Sequence, residues 1–264
     1  MAPKRVAEPG EPPESGGPAK AGGGDVEAAG GGGLYPSMTE DPKLRWSFVR
    51  KVYMILSMQL LLTVGMAATV VLVRPIPKFL LHTTPGIVVF VLLLILPFVI
   101  LWPLHSYRKQ HPVNLFLLML FTIMMAAAVG LLCSMSKGKV ILEAGILTCV
   151  VVVSLTLYTF WAAKRGHDFQ FLGPFLFASL LMLIAFALIQ IFIPLGKLGH
   201  TIYGCIGALI FSGFIIYDTD NLIKRFTYDE YITAAITLYL DILNLFLSIA
   251  SAMDGGSNDN LGLS

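Results

Sequence analysis

Charge is scarce in this sequence, and its scarcity is the first constraint on what the chain can be. Lys, Arg, Asp and Glu make up 13% of the 264 residues, hydrophobic residues make up 56%, and mean hydropathy is +0.78. An ordinary soluble domain is about a quarter charged, so that class is excluded. The net charge of +2 is too small and too dispersed for a nucleic-acid-binding surface. Cysteine is sparse as well. Cys133, Cys149 and Cys205 show neither CxxC nor zinc-type spacing and read as small buried side chains. Strand-like alternation is missing from stretches such as IVVFVLLLILPFVILW; they are apolar on every face, which argues against a lipid-facing barrel.

What is present is a series of apolar runs of roughly 17 to 25 residues, the length a helix needs to cross a bilayer. They cover residues 52–73, 86–104, 113–133, 143–162, 171–193, 201–223 and 232–252. The expected fold is an all-α membrane protein, a seven-transmembrane-helix bundle joined by short loops. Six crossings with a seventh segment that dips in and returns is the alternative that hydropathy leaves open. Residues 1–42, rich in Gly, Pro, Ala and Glu, read as a disordered cytosolic tail. Residues 43–252 form the membrane domain, and 253–264 a short C-terminal tail. The first 42 residues lack the apolar core of a cleavable signal, so the first span is expected to serve as an uncleaved one.

The basic residues take sides. Lys43, Arg45, Arg50 and Lys51 precede the first span, and Arg108-Lys109, Lys164-Arg165 and Lys224-Arg225 fall in every second loop after it. The intervening loops hold Arg74 and Lys78, then Lys137 and Lys139, then Lys197. Ten against five places the N-terminus in the cytosol by the positive-inside rule. Trp46, Trp102, Tyr107, Tyr158 and Trp161 fall near predicted helix ends, as interfacial aromatics do. Pro97, Pro103 and Pro174 read as helix kinks.

Two of the acids, Asp218 and Asp241, lie well inside spans, where an ionisable group is costly. Each helical residue advances by about 100°, so Thr233, Thr237, Asp241, Asn244, Ser248 and Ser251 share one arc of roughly 80°. Asp241 lies roughly 14 Å inside its helix from the cytosolic end, and Asp218 roughly 9 Å inside the preceding one, at 1.5 Å per residue. The two helices form an antiparallel hairpin, so the carboxylates can share one depth. A pair that meets there is expected to hold one proton, with one apparent pKa well above that of a free Asp. Full ionisation instead makes a site of hard oxygen ligands of the kind calcium prefers. Packing alone, with each acid held by Tyr, Thr or Asn, is the plainer alternative. Asn244, Thr237, Asp220 and Glu143 are secondary pathway candidates. His105, His111, His167 and His200 read as interfacial, and Asp168, Asp229 and Glu230 as solvated loop residues. No lysine lies in 232–252 to form a Schiff base with retinal, and no histidine or metal-ligand cluster joins the acids to make a hydrolase.

Several stretches are familiar. FVRKVYMILSMQLLLT, GILTCVVVVSLTLYTF, HDFQFLGPFLF, FSGFIIYDTDNLI and DEYITAAITLYLDILNLFLSI resemble the transmembrane Bax inhibitor motif family, and within it the plant Lifeguard and Bax-inhibitor-like branch. The resemblance runs from about Trp46 to Ile249. It implies a last helix wrapped by the other six, and a pH-sensitive calcium leak in endomembranes such as the endoplasmic reticulum, Golgi or vacuole. It also implies suppression of programmed cell death and handling of endoplasmic-reticulum stress; with no catalytic constellation in the sequence, no enzymatic activity is expected. The family's paired aspartates match Asp218 in YDTD and Asp241 in LYLD. Calcium is then the permeant ion, with no permanently bound cofactor, and the partners are membrane lipid and other membrane proteins of cell-death pathways. A non-conducting scaffold that acts by binding such proteins is the competing function. Three departures stand out: Asp220 occupies a position where many relatives carry Gln, no arginine interrupts 86–104 where the bacterial relative has one, and the C-terminal tail lacks a basic cluster.

Overall fold

The computed structural model describes residues 33–73, 75–107, 112–193 and 196–256. Residues 1–32, Arg74, the Arg108-Lys109 pair, His111 and the end of the C-terminal tail lie outside the described residues. The elements are α1 (Pro42–Leu72), α2 (Pro75–His82), α3 (Thr84–Ser106), α4 (Val113–Ser134), α5 (Gly138–Lys164), α6 (Leu172–Phe192), α7 (Gly196–Lys224) and α8 (Tyr231–Gly256), with a 3-10 turn at Tyr228–Glu230. All but α2 and the turn are long and apolar enough to cross a membrane, which gives seven such helices among the described residues. The expected all-α, seven-span architecture is the observed one.

The helices start and stop for local reasons. Asp41 caps α1 by accepting the amide of Lys43 at 2.9 Å, and Pro42 supplies a first residue whose missing N–H costs nothing there. The helix therefore begins ten residues before the apolar run at 52. The C-terminal end of α5 turns through Gly166 at φ +83°, where the amide of His167 returns to the carbonyl of Ala162 at 3.0 Å. α2 is an extra half-exposed helix in a stretch read as loop. Residues 33–41, placed by the sequence in the tail, are instead folded onto the bundle, with Leu34 buried in the core.

Burial identifies the centre. In α8, 61% of the apolar window is buried, against 11–44% in the other six spans. Tyr239, Ala234 and Ala235 are fully enclosed, and the two alanines let neighbouring helices come close. α8 packs on α7, α5, α1 and α4, whereas α6 packs mainly on α7. The wrapping of α8 is thus uneven. It also runs unbroken for 26 residues, about 39 Å at 1.5 Å per residue, more than the hydrocarbon core of about 30 Å. That length removes the reason to read it as a segment that dips and returns.

α7 and α8 approach closely at Gly204 and Gly207. A Cβ on Gly204 would lie 2.5 Å from the amide nitrogen of Ala252 and 2.6 Å from the carbonyl oxygen of Ser248. One on Gly207 would meet Ser248 Oγ at 2.7 Å. The Ser248 end of the polar stripe of α8 therefore faces α7.

Candidate functional site

The hairpin of α7 and α8 brings Asp218 and Asp241 together, and their carboxyls lie within hydrogen-bond reach of each other. Asp241 is 7% exposed, and its Oδ2 has no hydrogen-bond partner among the described residues. Asp218 is half-buried, with the side chains of Asn221 and Thr237 also beside it. Ionised carboxylates only accept hydrogen bonds, so this contact is a bond only when one acid carries a proton. When both are ionised, the same place presents two charged oxygen donors next to neutral amide and hydroxyl oxygens.

The secondary candidates divide. Thr237 touches Asp218, donates to the carbonyl of Ala234 at 3.1 Å, and lines a cavity of about 290 Å³. That cavity lies between Leu101 and Leu104 of α3 and Ile232, Thr233, Ile236 and Leu240 of α8. Asn244 donates to the carbonyl of Leu240 in its own helix at 2.8 Å, and Ser248 packs on the glycines of α7. Glu143 pairs with Lys139 at 3.6 Å with 44% of its side chain exposed, so it is an interfacial ion pair.

Asp220 is placed differently from the expected extra acid at a pathway mouth. It is fully buried, its Oδ1 lies 2.5 Å from Lys224 Nζ, and its Oδ2 lies 3.2 Å from Arg225 Nη1. The amide of Phe169 donates to Oδ2 as well, at 3.3 Å. Arg225 continues to Asp168 at 2.5 Å, and Lys224 donates to the carbonyl of His167. Asp220 thus ties the α5–α6 connection to the end of α7. It lies two positions after Asp218, a turn of about 200°, which puts the two acids on opposite sides of α7. Asp168, read as a solvated loop acid, is half-exposed but engaged: the hydrogen bond from Arg225, followed by the backbone amide of Gln170, holds its carboxyl below the usual carboxylate range against the opposing effect of burial.

Two further polar groups escaped the sequence reading. Arg45, counted only for its charge, is 2% exposed; its Nη1 donates to the carbonyl of Phe226 and its Nη2 to Glu40 Oε2, both at 2.6 Å. On the side of α8 away from Asp241, Tyr239 meets Thr63 of α1 at 2.7 Å, and Gln59 Nε2 donates to Thr122 of α4 at 3.0 Å. Thr63 donates its own proton to the carbonyl of Gln59, so Tyr239 is the donor to Thr63. Only the charge of Arg45 and the isolated polar letters Gln59 and Thr63 hinted at either contact.

A bundle of seven apolar helices, with its most buried helix carrying one half of an enclosed acid pair, defines an integral membrane protein built around a central polar element. The comparisons narrow this further. The family described as "Inhibitor of apoptosis-promoting Bax1" matches residues 45–259, and the chain belongs to it. It is 59% identical to "Protein LIFEGUARD 4" of Arabidopsis thaliana over 228 residues, covering 85% of this chain and 92% of that one. It is 56% identical to the "BI1-like protein" of the same plant over 226 residues, with 85% and 87% covered. It is 35% identical to the "Golgi anti-apoptotic protein" of vaccinia virus strain Lister over 211 residues, with 80% and 86% covered.

Proposed function

We propose that this chain is a slow, proton-regulated calcium leak of an internal membrane that restrains programmed cell death. The contact between the Asp218 and Asp241 carboxyls inside the bundle carries this reading. With one proton the pair is a latch between α7 and α8. As the proton leaves, repulsion between the carboxylates loosens the hairpin and exposes oxygen ligands to a passing cation. Calcium takes six to eight oxygen ligands when held tightly. Among the described residues no three His, Cys, Asp or Glu side chains gather in one place. A two-carboxyl site with Thr237 and Asn221 beside it suits brief occupancy and release rather than storage.

The anti-death role rests on family membership and on the name of the viral relative, which also favours the Golgi among internal membranes. A cytosolic N-terminus is supported by the basic residues at the end where the start of α1, the α5–α6 connection and the α7–α8 loop meet. The test is calcium efflux from sealed proteoliposomes. The native chain should empty them faster than protein-free vesicles, and a double Asp218→Asn, Asp241→Asn variant should respond differently to pH. Native flux no faster than that of bare vesicles would replace the leak with a scaffold that acts by binding other membrane proteins.

A further inference from the structure

Residues 33–41 cross the same end of the bundle as the basic loops, and three separate contacts hold them there. Leu34 is 5% exposed within the core, with Tyr35 and Met38 packed against it. Pro36 lies over the α5–α6 turn, where its Cγ is 3.5 Å from the position a Cβ on Gly166 would take. Glu40 Oε2 accepts from Arg45 Nη2 at 2.6 Å and from the hydroxyl of Tyr228 at 2.7 Å.

Arg45 joins this segment to the acid-bearing hairpin. Its other terminal nitrogen holds the carbonyl of Phe226, in the loop between α7 and α8. Its guanidinium lies 5.0 Å from the ring of Tyr228 and 5.7 Å from that of Phe48. A buried guanidinium needs a counter-ion, and Glu40 is the acid paired with it among the described residues. Losing Glu40 therefore loosens Arg45, and with it the loop that joins α7 to α8. A slip of one residue moves a side chain by about 1.5 Å along the axis, enough to break a carboxyl–carboxyl hydrogen bond.

We infer that residues 33–41 form a strap that clamps the α7–α8 loop onto α1, with Arg45 as the positioning residue through which the strap sets the spacing of Asp218 and Asp241. The clamp is a statement about structure; its effect on ion flow rests on the proposed leak.

The test uses the full chain in lipid nanodiscs and proteoliposomes, comparing the native protein with Glu40→Gln and Tyr228→Phe. Both substitutions are mild: the first keeps an acceptor but removes the charge, and the second keeps the ring but removes one donor. Amide exchange should rise about 10-fold in Glu40→Gln over 33–41, the scale of losing one charge-assisted hydrogen bond. It should rise over 225–230 as well, with a smaller change in Tyr228→Phe. The pH midpoint of calcium efflux should also move in Glu40→Gln. Unchanged exchange at 225–230 overturns the clamp. Raised exchange with a native pH profile, while Asp218→Asn alters that profile, overturns the control of the acid pair and leaves the leak standing. If no variant, Asp218→Asn included, alters efflux, the leak reading fails and exchange at 225–230 alone decides the clamp.

Discussion

Replacing Gly204 with alanine tests the close approach of α7 and α8. The added methyl would sit 2.5 Å from the amide nitrogen of Ala252 and 2.6 Å from the carbonyl of Ser248. Both are backbone atoms of a helix packed on its other sides, so neither can rotate away. Overpacking of this kind costs about 1–3 kcal/mol, and backbone contact puts Gly204→Ala toward the upper end. Alanine is also the better helix former by about 1 kcal/mol, leaving a net loss of about 1–2 kcal/mol. At roughly 2–4 °C per kcal/mol for a body of this size, Tm in detergent should fall by roughly 2–8 °C. Two controls separate the terms. Gly207→Ala meets Ser248 Oγ at 2.7 Å, which can turn aside, and its Cβ at 3.2 Å, which must give slightly, so its Tm should fall less. Gly145→Ala has nothing within 4 Å and should be neutral or stabilising. A Gly204→Ala protein as stable as Gly145→Ala would refute the packing argument.

Three other outcomes are expected. Asp168 has a folded pKa below its ordinary value, so its stabilisation is present above the ordinary carboxylate range and fades as pH falls through the lowered one; Asp168→Asn should cost under about 1 kcal/mol at pH 7, because the side chain is 54% exposed, and the deficit should shrink as pH falls below the ordinary carboxylate range. Thr63→Val and Tyr239→Phe should each destabilise, with a double-mutant-cycle coupling of about 0.6 kcal/mol and no more than about 1.7, the mean and maximum for hydrogen bonds between membrane helices; a coupling near zero would mean that this bond contributes nothing. In sealed microsomes, protease on the cytosolic side should digest an N-terminal tag and spare a C-terminal one, and digestion of both would contradict seven crossings.

The membrane helices were readable in the sequence because uniform apolarity over 20 residues has few other uses. Their ends were less so. Pro42–Lys51 is too polar for a hydropathy run, although Asp41 followed by Pro42 was an available start signal. The acid pair was readable because intramembrane carboxylates are costly and the stripe from Thr233 to Ser251 repeats at helical spacing. Asp220 was not, since a carboxylate two residues from Asp218 looks like part of the same cluster until Phe169 and Arg225 are seen to claim it. Arg45 was hidden by its company: next to Lys43, Arg50 and Lys51 it looks like one more charge at a membrane surface, and only a distant carbonyl, that of Phe226, shows that it is buried.

The proposed latch requires Asp218 and Asp241 to act as one proton-holding unit. Calcium efflux from proteoliposomes, measured across pH for the native chain, Asp218→Asn, Asp241→Asn and the double variant, tests this. Asparagine keeps the shape and some hydrogen-bonding capacity while removing the charge. Each single variant should flatten the pH dependence, and the double variant should lose little more, because residues that act as a unit are not additive. Native pH profiles in both single variants would contradict the claim.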